Sequence, residues 1–345
     1  MGSMVASGVL LTILSGLMNG SFTFPMRFLG RWQWENVWIL FIVSSCLLLP
    51  LVVVCFTAPD SWIILAGAPS GALWIAAVAG FAWGFGSIMF GQSVSAIGIS
   101  LANTLVLAIS SALGALLPLT ILSSSQVFKP AGQRVFLGVM IELMGIVLCG
   151  RAGAIREKAA GADLESTRGN LVGSSRPLAV AMLLVVGAGV LSAVFNVGFA
   201  LAAPIAERGR DAGLSGFAST NLIWLVMLGS GSIANLGFCC YLLVKNRSFA
   251  GFRRPGGARL YLLAPLMGLL WGGSIFVYGA AAPRLGSLGT SIGWPLSLAT
   301  GLLLANGIGI AIGEWKQAPR RAGYWMFSGI AVLLVAILVL SRANS

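Results

Sequence analysis

The chain has 345 residues, of which 58% are hydrophobic and only 9% charged, far from the quarter or so of charged residues usual in a soluble domain; water cannot be its only solvent. The net charge of +12 would suit a nucleic acid, but basic residues in so apolar a chain mark cytoplasmic loops, so no nucleic-acid partner is expected. With no histidine at all, histidine acid–base catalysis, Ser-His triads and HExxH metal sites are excluded together.

Charges, prolines and polar clusters divide the sequence into ten apolar spans near residues 5–26, 36–57, 70–97, 100–122, 134–150, 178–203, 216–244, 260–282, 287–313 and 322–341, each long enough to cross a hydrocarbon layer as a helix. The first has no basic segment before it and is followed by further spans, so it reads as a helix and not as a cleaved signal. Between Ser61 and Phe128 there is no charged residue; so long a run must turn, and Gly98 within Ala96–Ser100 is the local turn signal. Arg151–Arg176 is the one polar linker and separates five spans from five. Cys46, Cys55, Cys149, Cys239 and Cys240 fall in apolar runs without CxxC spacing and read as small hydrophobes, neither disulfides nor metal ligands. No phosphate-cradling GxxxxGK[ST] sequence occurs, so ATP is not expected to drive the protein, and no cofactor is expected.

Lysines and arginines number 15 in the loops after odd-numbered spans and 6 on the opposite side, which predicts a cytoplasmic linker with both termini outside. Because five is odd, two related halves would lie in the membrane with opposite topology. A shift of 188 residues superposes Trp83, Gly84, Phe90, Gly91 and Gly98 on Trp271, Gly272, Tyr278, Gly279 and Gly286. A weaker echo links Asn19, Phe22 and Pro25 with Asn196, Phe199 and Pro204. The predicted fold is an all-α integral membrane protein of ten transmembrane helices in two inverted five-helix repeats, residues 1–150 and 178–345, joined by a cytoplasmic linker over 151–177.

Glu142 is the one acidic residue well inside a span, eight residues from Arg134 and nine from Arg151. An ionisable group at that depth is costly and marks function, proton carriage being the obvious role; the alternative is a carboxyl that stays protonated or hydrogen-bonded throughout. Glu35 and Glu314 stand at span ends near Arg31 and Lys316, where interfacial ion pairs are the ordinary reading, and Glu35 is the second proton-site candidate. Asp60 reads as a turn residue. A polyol is held by aromatic faces and by amides or hydroxyls. Trp271, Ser274 and Tyr278 share one helical face, as do Trp83, Ser87 and Phe90. Trp271 lies 12 residues beyond Arg259, about 18 Å along a helix and so near the bilayer middle. Trp294, followed by Pro295, and the amides Asn19, Gln92, Asn103 and Asn196 complete the cavity candidates; helix packing is the competing explanation for the aromatics. Asn221, Asn235 and Asn306 serve equally well as interhelical hydrogen-bond partners. Pro25 and Pro204 suit a bent gate or, more simply, a helix end.

With these residues set out, the chain resembles the L-rhamnose–proton symporter family of the drug/metabolite transporter superfamily. The resemblance rests on Phe22–Pro25 with Arg31-Trp32-Gln33-Trp34-Glu35 and Trp38, on Trp83-Gly84 through Gly98, on Gly138 through Arg151-Ala152-Gly153, on Asn235-Leu236-Gly237-Phe238-Cys239, on Gly268 through Trp271 to Tyr278, and on Glu314-Trp315 with Arg320-Arg321. It implies ten helices, a cytoplasmic (inner) membrane location and uptake of a deoxyhexose with a proton. Gly289-Thr290-Ser291-Ile292-Gly293, before Trp294, departs from the family pattern and bears on which sugar is carried. The expected partners are therefore a small sugar, a proton and the bilayer. Trp83, Trp271, Tyr278 and Trp294 would stack on the sugar, while Asn19, Ser87, Gln92, Asn103 and Ser274 are its polar contacts. Rival readings are an exporter of another small solute, with Trp83 and Trp271 forming an aromatic box, an intramembrane enzyme built on Glu142, and a receptor that binds without transport.

Overall fold

The computed structural model describes residues 2–29, 32–164, 178–253 and 258–343. Every regular element among them is helical, and nine apolar stretches are long enough to cross a membrane. We label the long helices α1 (Gly2–Ser21), α2 (Trp34–Thr57), α3 (Ser70–Ile97), α4 (Ile99–Leu122), α5 (Pro130–Leu164), α6 (Leu178–Leu201), α7 (Gly216–Lys245), α8 (Ala258–Ala281), α9 (Gly289–Ala311) and α10 (Arg320–Ser341). Helices α8 and α9 belong to one apolar stretch, Arg259–Ala311, folded back through the 3₁₀ segment Ala282–Leu288.

Local chemistry explains the breaks. Gly98, between α3 and α4, and Gly286, between α8 and α9, have φ of 86° and 75°, a region that a side chain disfavours and glycine enters freely. In α2, Pro50 has no N–H to offer the carbonyl one turn back and crowds it; the chain responds with the π-helical turn Val43–Leu48, in which the Leu49 N–H donates to Ser44 O. The same rule operates in α4, where Pro118 leaves the carbonyl of Gly114 without its helical donor. Pro25 lies in the 3₁₀ turn Phe24–Phe28 and Pro204 opens the short helix Ala203–Asp211, so both occupy helix ends. Asp60 directly precedes the short helix Ser61–Ala66 and is exposed.

Helix α5 runs fourteen residues past Gly150, so much of the polar segment read as linker is a helical extension; residues 165–177 lie outside the described residues. The extension clamps its neighbours. Glu157 Oε1 accepts from the backbone N–H and the hydroxyl of Ser100, at 3.1 and 2.7 Å, at the start of α4. Arg156 donates to Glu314 at 3.1 Å and covers Trp315. Glu314 thus pairs with Arg156 of a distant helix, because α5 projects beyond the bundle far enough to reach the α9–α10 join.

The packing repeats itself. Helix α1 lies on α8 and α9, and α6 on α3 and α4; α3 packs on α7 and α8 on α2; α4 pairs with α5 and α9 with α10; α5 and α10 pack on each other. Glycines set the closest approaches. Gly80 and Gly84 of α3 abut the carbonyls of Met227 and Gly231, whereas Gly268 and Gly272 of α8, 188 residues on, abut those of Phe41, just before the π-turn, and Ser45, within it. A side chain at any of these positions would hold the backbones apart. One buried cluster joins side chains of α2, α3, α6, α7, α8 and α9. The five cysteines are free.

Candidate functional site

The close glycine contacts bring α3 and α8 together so that Trp83 and Trp271 stack, with ring centroids 4.9 Å apart and planes inclined by 14°. They form the middle of a continuous aromatic chain. On one side Phe41 approaches Trp271 and Trp38, and Trp38 stacks on Trp34. On the other, Phe195 approaches Trp83 and Trp224, Phe199 lies parallel to Trp224 at 4.2 Å, and Tyr278 contacts both Phe199 and Trp294. Of the two expected stripes, the tryptophans thus meet each other, while Tyr278 and Trp294 form a separate edge-to-face pair with centroids 5.6 Å apart. A ring held between two indoles needs their planes roughly 7–8 Å apart, two van der Waals contacts. The stacked pair leaves no such gap, so a solute meets an outer face or separates the rings.

Asparagines organise the polar groups. Asn235 of α7, fully buried, accepts from Trp38 Nε1 at 3.1 Å, lies 2.7 Å from Ser87 Oγ, and donates towards the carbonyls of Gly84 and Gly231. Ser87 is thereby held in a helix-to-helix junction. Asn196 of α6 donates to the orphaned Gly114 carbonyl at 2.8 Å and to Thr290 O at 3.3 Å, and accepts from the Tyr278 hydroxyl. Trp294 Nε1 lies 3.2 Å from both the carbonyl and the hydroxyl of Ser110, whose Oγ is 2.9 Å from that of Ser192. Ser274 is buried, with its hydroxyl donating to Trp271 O at 2.6 Å, so its donor is already used by its own helix. Asn19 and Asn103 are half-buried and make no hydrogen bond among the described residues, which leaves both amides available. Gln92 is half-buried towards the end of α3. Asn221 donates to Thr57, the interhelical role expected of it.

Both carboxyl candidates are buried, but they stand in different settings. Glu142 is 0% exposed; its Oε2 accepts from Ser111 Oγ at 2.6 Å and its Oε1 has no partner. It faces α4 and is not among the rings. Glu35, 3% exposed, accepts from Asn246 Nδ2 at 2.9 Å and Ser248 Oγ at 2.6 Å, tying the start of α2 to the segment after α7. Its expected partner Arg31 lies outside the described residues. Among the groups that form the site, Ser110, Ser192 and Trp224 have no sequence signal of their own, and Asn235 and Phe199 enter it beyond the interhelical and repeat roles that the sequence assigns them. Pro118 was the one signal for Gly114, since a proline inside a helix advertises a free carbonyl four residues back.

Accessibility differs along the chain of rings. Asn19, Phe22, Trp83, Asn103, Leu107 and Trp271 are half-buried, whereas Asn196, Phe199, Ser274, Tyr278 and Trp294 are buried. Beyond Phe199, at the end where Ala282–Leu288 turns, a cavity of about 230 Å³ is lined by Phe199, Arg210, Thr220, Ser287 and Thr290. Phe199, in its lining, packs on Trp224 and Tyr278, and Thr290, also in its lining, accepts from the Asn196 amide.

Many apolar helices packed around an interior of rings and amides define a multi-pass membrane protein. The model of the L-rhamnose-proton symport protein family matches residues 1–343, and the chain belongs to that family of transporters. It is 27% identical over 343 residues to an L-rhamnose-proton symporter of Cronobacter sakazakii, covering 97% of each chain. It is 25% identical over 343 residues to proteins of the same name from Salmonella paratyphi B and Salmonella newport, again covering 97% of each.

Proposed function

We propose that the protein is a secondary active transporter of the inner membrane that takes up L-rhamnose or a closely similar small sugar together with a proton, by alternating access. The observation that carries this reading is the family match from end to end, with relatives named L-rhamnose-proton symporter aligned over 97% of their length. In this reading ten helices cross the membrane as two inverted repeats, 1–150 and 178–345, with 151–177 between them in the cytoplasm. The five-helix periodicity of the packing, the positive-φ glycines 98 and 286 and the Trp83–Trp271 stack support that symmetry. The sugar occupies the half-buried region around Trp83, Trp271, Asn19 and Asn103, with Gln92 and Ser87 at its margin, while Tyr278 and Trp294 close it off on the side of the Arg210 cavity; Ser274 shapes the wall. In this reading the sugar reaches the site from the end that carries most of the basic residues, the cytoplasmic one. Glu142 carries the proton, and Glu35, fastened by Asn246 and Ser248, holds α2 to the segment after α7.

Each proton moving inward down 100 mV supplies about 2.3 kcal/mol, enough for tens-fold accumulation of a neutral sugar. The test is uptake of radiolabelled L-rhamnose into proteoliposomes under an imposed inward proton gradient. Wild type concentrates the sugar and Trp271→Ala, correctly folded, does not. Failure of the folded wild type to take up any L-rhamnose refutes the substrate, and a screen of other sugars on the same vesicles replaces it.

A further inference from the structure

Glu142 is unequally served: Ser111 donates to one oxygen, and the other, equally buried, meets no donor. Among the described residues, no second ionisable group faces it. Helices α4 and α9 contain none. Helix α10 has Arg320, Arg321 and Tyr324 at one end and is followed by Arg342, while Leu333 and Leu340 are the residues it sets against Gly145 and Gly138 of α5. On α5 itself Arg134 and Arg151 lie more than two turns away, and the Cys149 sulfur packs on Gly329.

The segment of α4 that receives Glu142 from behind also holds the far end of the candidate site. Ser111 takes the carboxyl; Ser110, beside it, takes the Trp294 indole and Ser192; Gly114, one turn on, has the indole against its Cα and the Asn196 amide on its carbonyl, with Tyr278 bonded to Asn196. Within the five positions 110–114, Ser111 thus touches Glu142 while Ser110 and Gly114 touch the site.

We infer that residues 110–114 of α4 transmit the protonation state of Glu142 to Trp294 and to the Asn196–Tyr278 pair, with Ser111 as the positioning residue. This rests on Glu142 being the proton carrier. A single hydroxyl donor suits a neutral carboxyl; a carboxylate offers about four acceptor sites and, away from water, one donor does not satisfy it. Loss of the proton to water therefore draws in a second donor, by water entering between α4 and α5 or by displacement of α4. Either event moves the edge on which the indole and the amide are held. Binding of the sugar and of the proton are in this way coupled without contact, and reciprocally.

The experiment is equilibrium binding of labelled L-rhamnose to the purified full-length protein across a pH series, with accumulation and counterflow in vesicles read in parallel. Wild-type affinity is expected to weaken about tenfold as pH rises, within the range usual for coupled sites. Glu142→Gln, a permanently neutral isostere, binds at all pH values as wild type does at low pH. Ser111→Ala keeps low-pH binding and counterflow but loses most of the pH dependence and of the accumulation, and Ser111→Thr, which restores the hydroxyl, recovers both. Should Ser111→Ala not fold, Ser111→Cys, similar in size and a weaker donor, carries the same expectation. If Ser111→Ala retains the wild-type pH profile while Glu142→Gln is flat, the α4 relay is wrong and the proton site stands. If Glu142→Gln keeps the wild-type profile, the proton site itself is wrong and the relay falls with it.

Discussion

The glycines between α3 and α7 and between α8 and α2 place the site, and replacing them gives a graded test. A Cβ on Gly80 would lie 2.0 Å from the carbonyl oxygen of Met227, where contact normally begins at about 3.4 Å. Helix α3 must therefore withdraw from α7 by about 1.4 Å, because the obstacle is backbone and cannot swing aside; overpacking of this kind costs about 1–3 kcal/mol. At Gly268 the nearest obstacle, at 1.9 Å, is the Ser44 hydroxyl, which can rotate, and the nearest backbone atom is Phe41 O at 2.8 Å, so the cost falls at the lower end of that range. Gly237 of α7 has nothing within 4 Å of its Cβ position, and alanine there gains helix propensity of up to about 1 kcal/mol. The expected order of thermal stability in detergent, followed by size-exclusion chromatography of heated samples, is Gly237→Ala at or above wild type, then Gly268→Ala, then Gly80→Ala. Uptake should fall in the last two, since Trp83 and Trp271 sit one turn beyond the altered contacts. A Gly80→Ala protein that melts with Gly237→Ala would refute the close approach of α3 and α7 and the placement of the tryptophan stack that depends on it.

Asn235→Leu removes the acceptor for Trp38 and the partner of Ser87; two interhelical bonds at about 0.6–1.7 kcal/mol each predict a loss of about 1–3 kcal/mol in stability, with a weakened apparent affinity in transport because Trp38 and Ser87 are released together. Arg156→Gln breaks the pair with Glu314, whose side chains are 26% and 41% exposed; such a contact is worth under about 1 kcal/mol, so its melting temperature and uptake should stay near wild type, and a large loss would mean that the clamp at the α9–α10 join matters to the cycle.

Much of the architecture was legible in the sequence for one reason: a lipid-facing helix must be apolar throughout and must satisfy its own backbone, so composition alone marks the spans. Gly98 was readable as a break because an uncharged run that long has to turn, and the pairing of Trp83 with Trp271 showed as a constant offset in the chain. What one-dimensional patterns could not contain was which groups face which. That Trp83 and Trp271 touch each other depends on glycines of α3 and α8 meeting carbonyls of α7 and α2. That Glu314 pairs with Arg156 depends on an extension of α5 crossing to a loop 158 residues away. Asn196, Tyr278, Trp294, Ser110 and Glu142 come from five helices and are brought together only by packing around α4. Burial of Glu142 followed from its depth in a span, a property of the sequence; its single donor, and the site on the far side of that donor's helix, were decided by the tertiary structure, because hydrogen-bond partners across helices are set by register and rotation, which hydropathy does not encode.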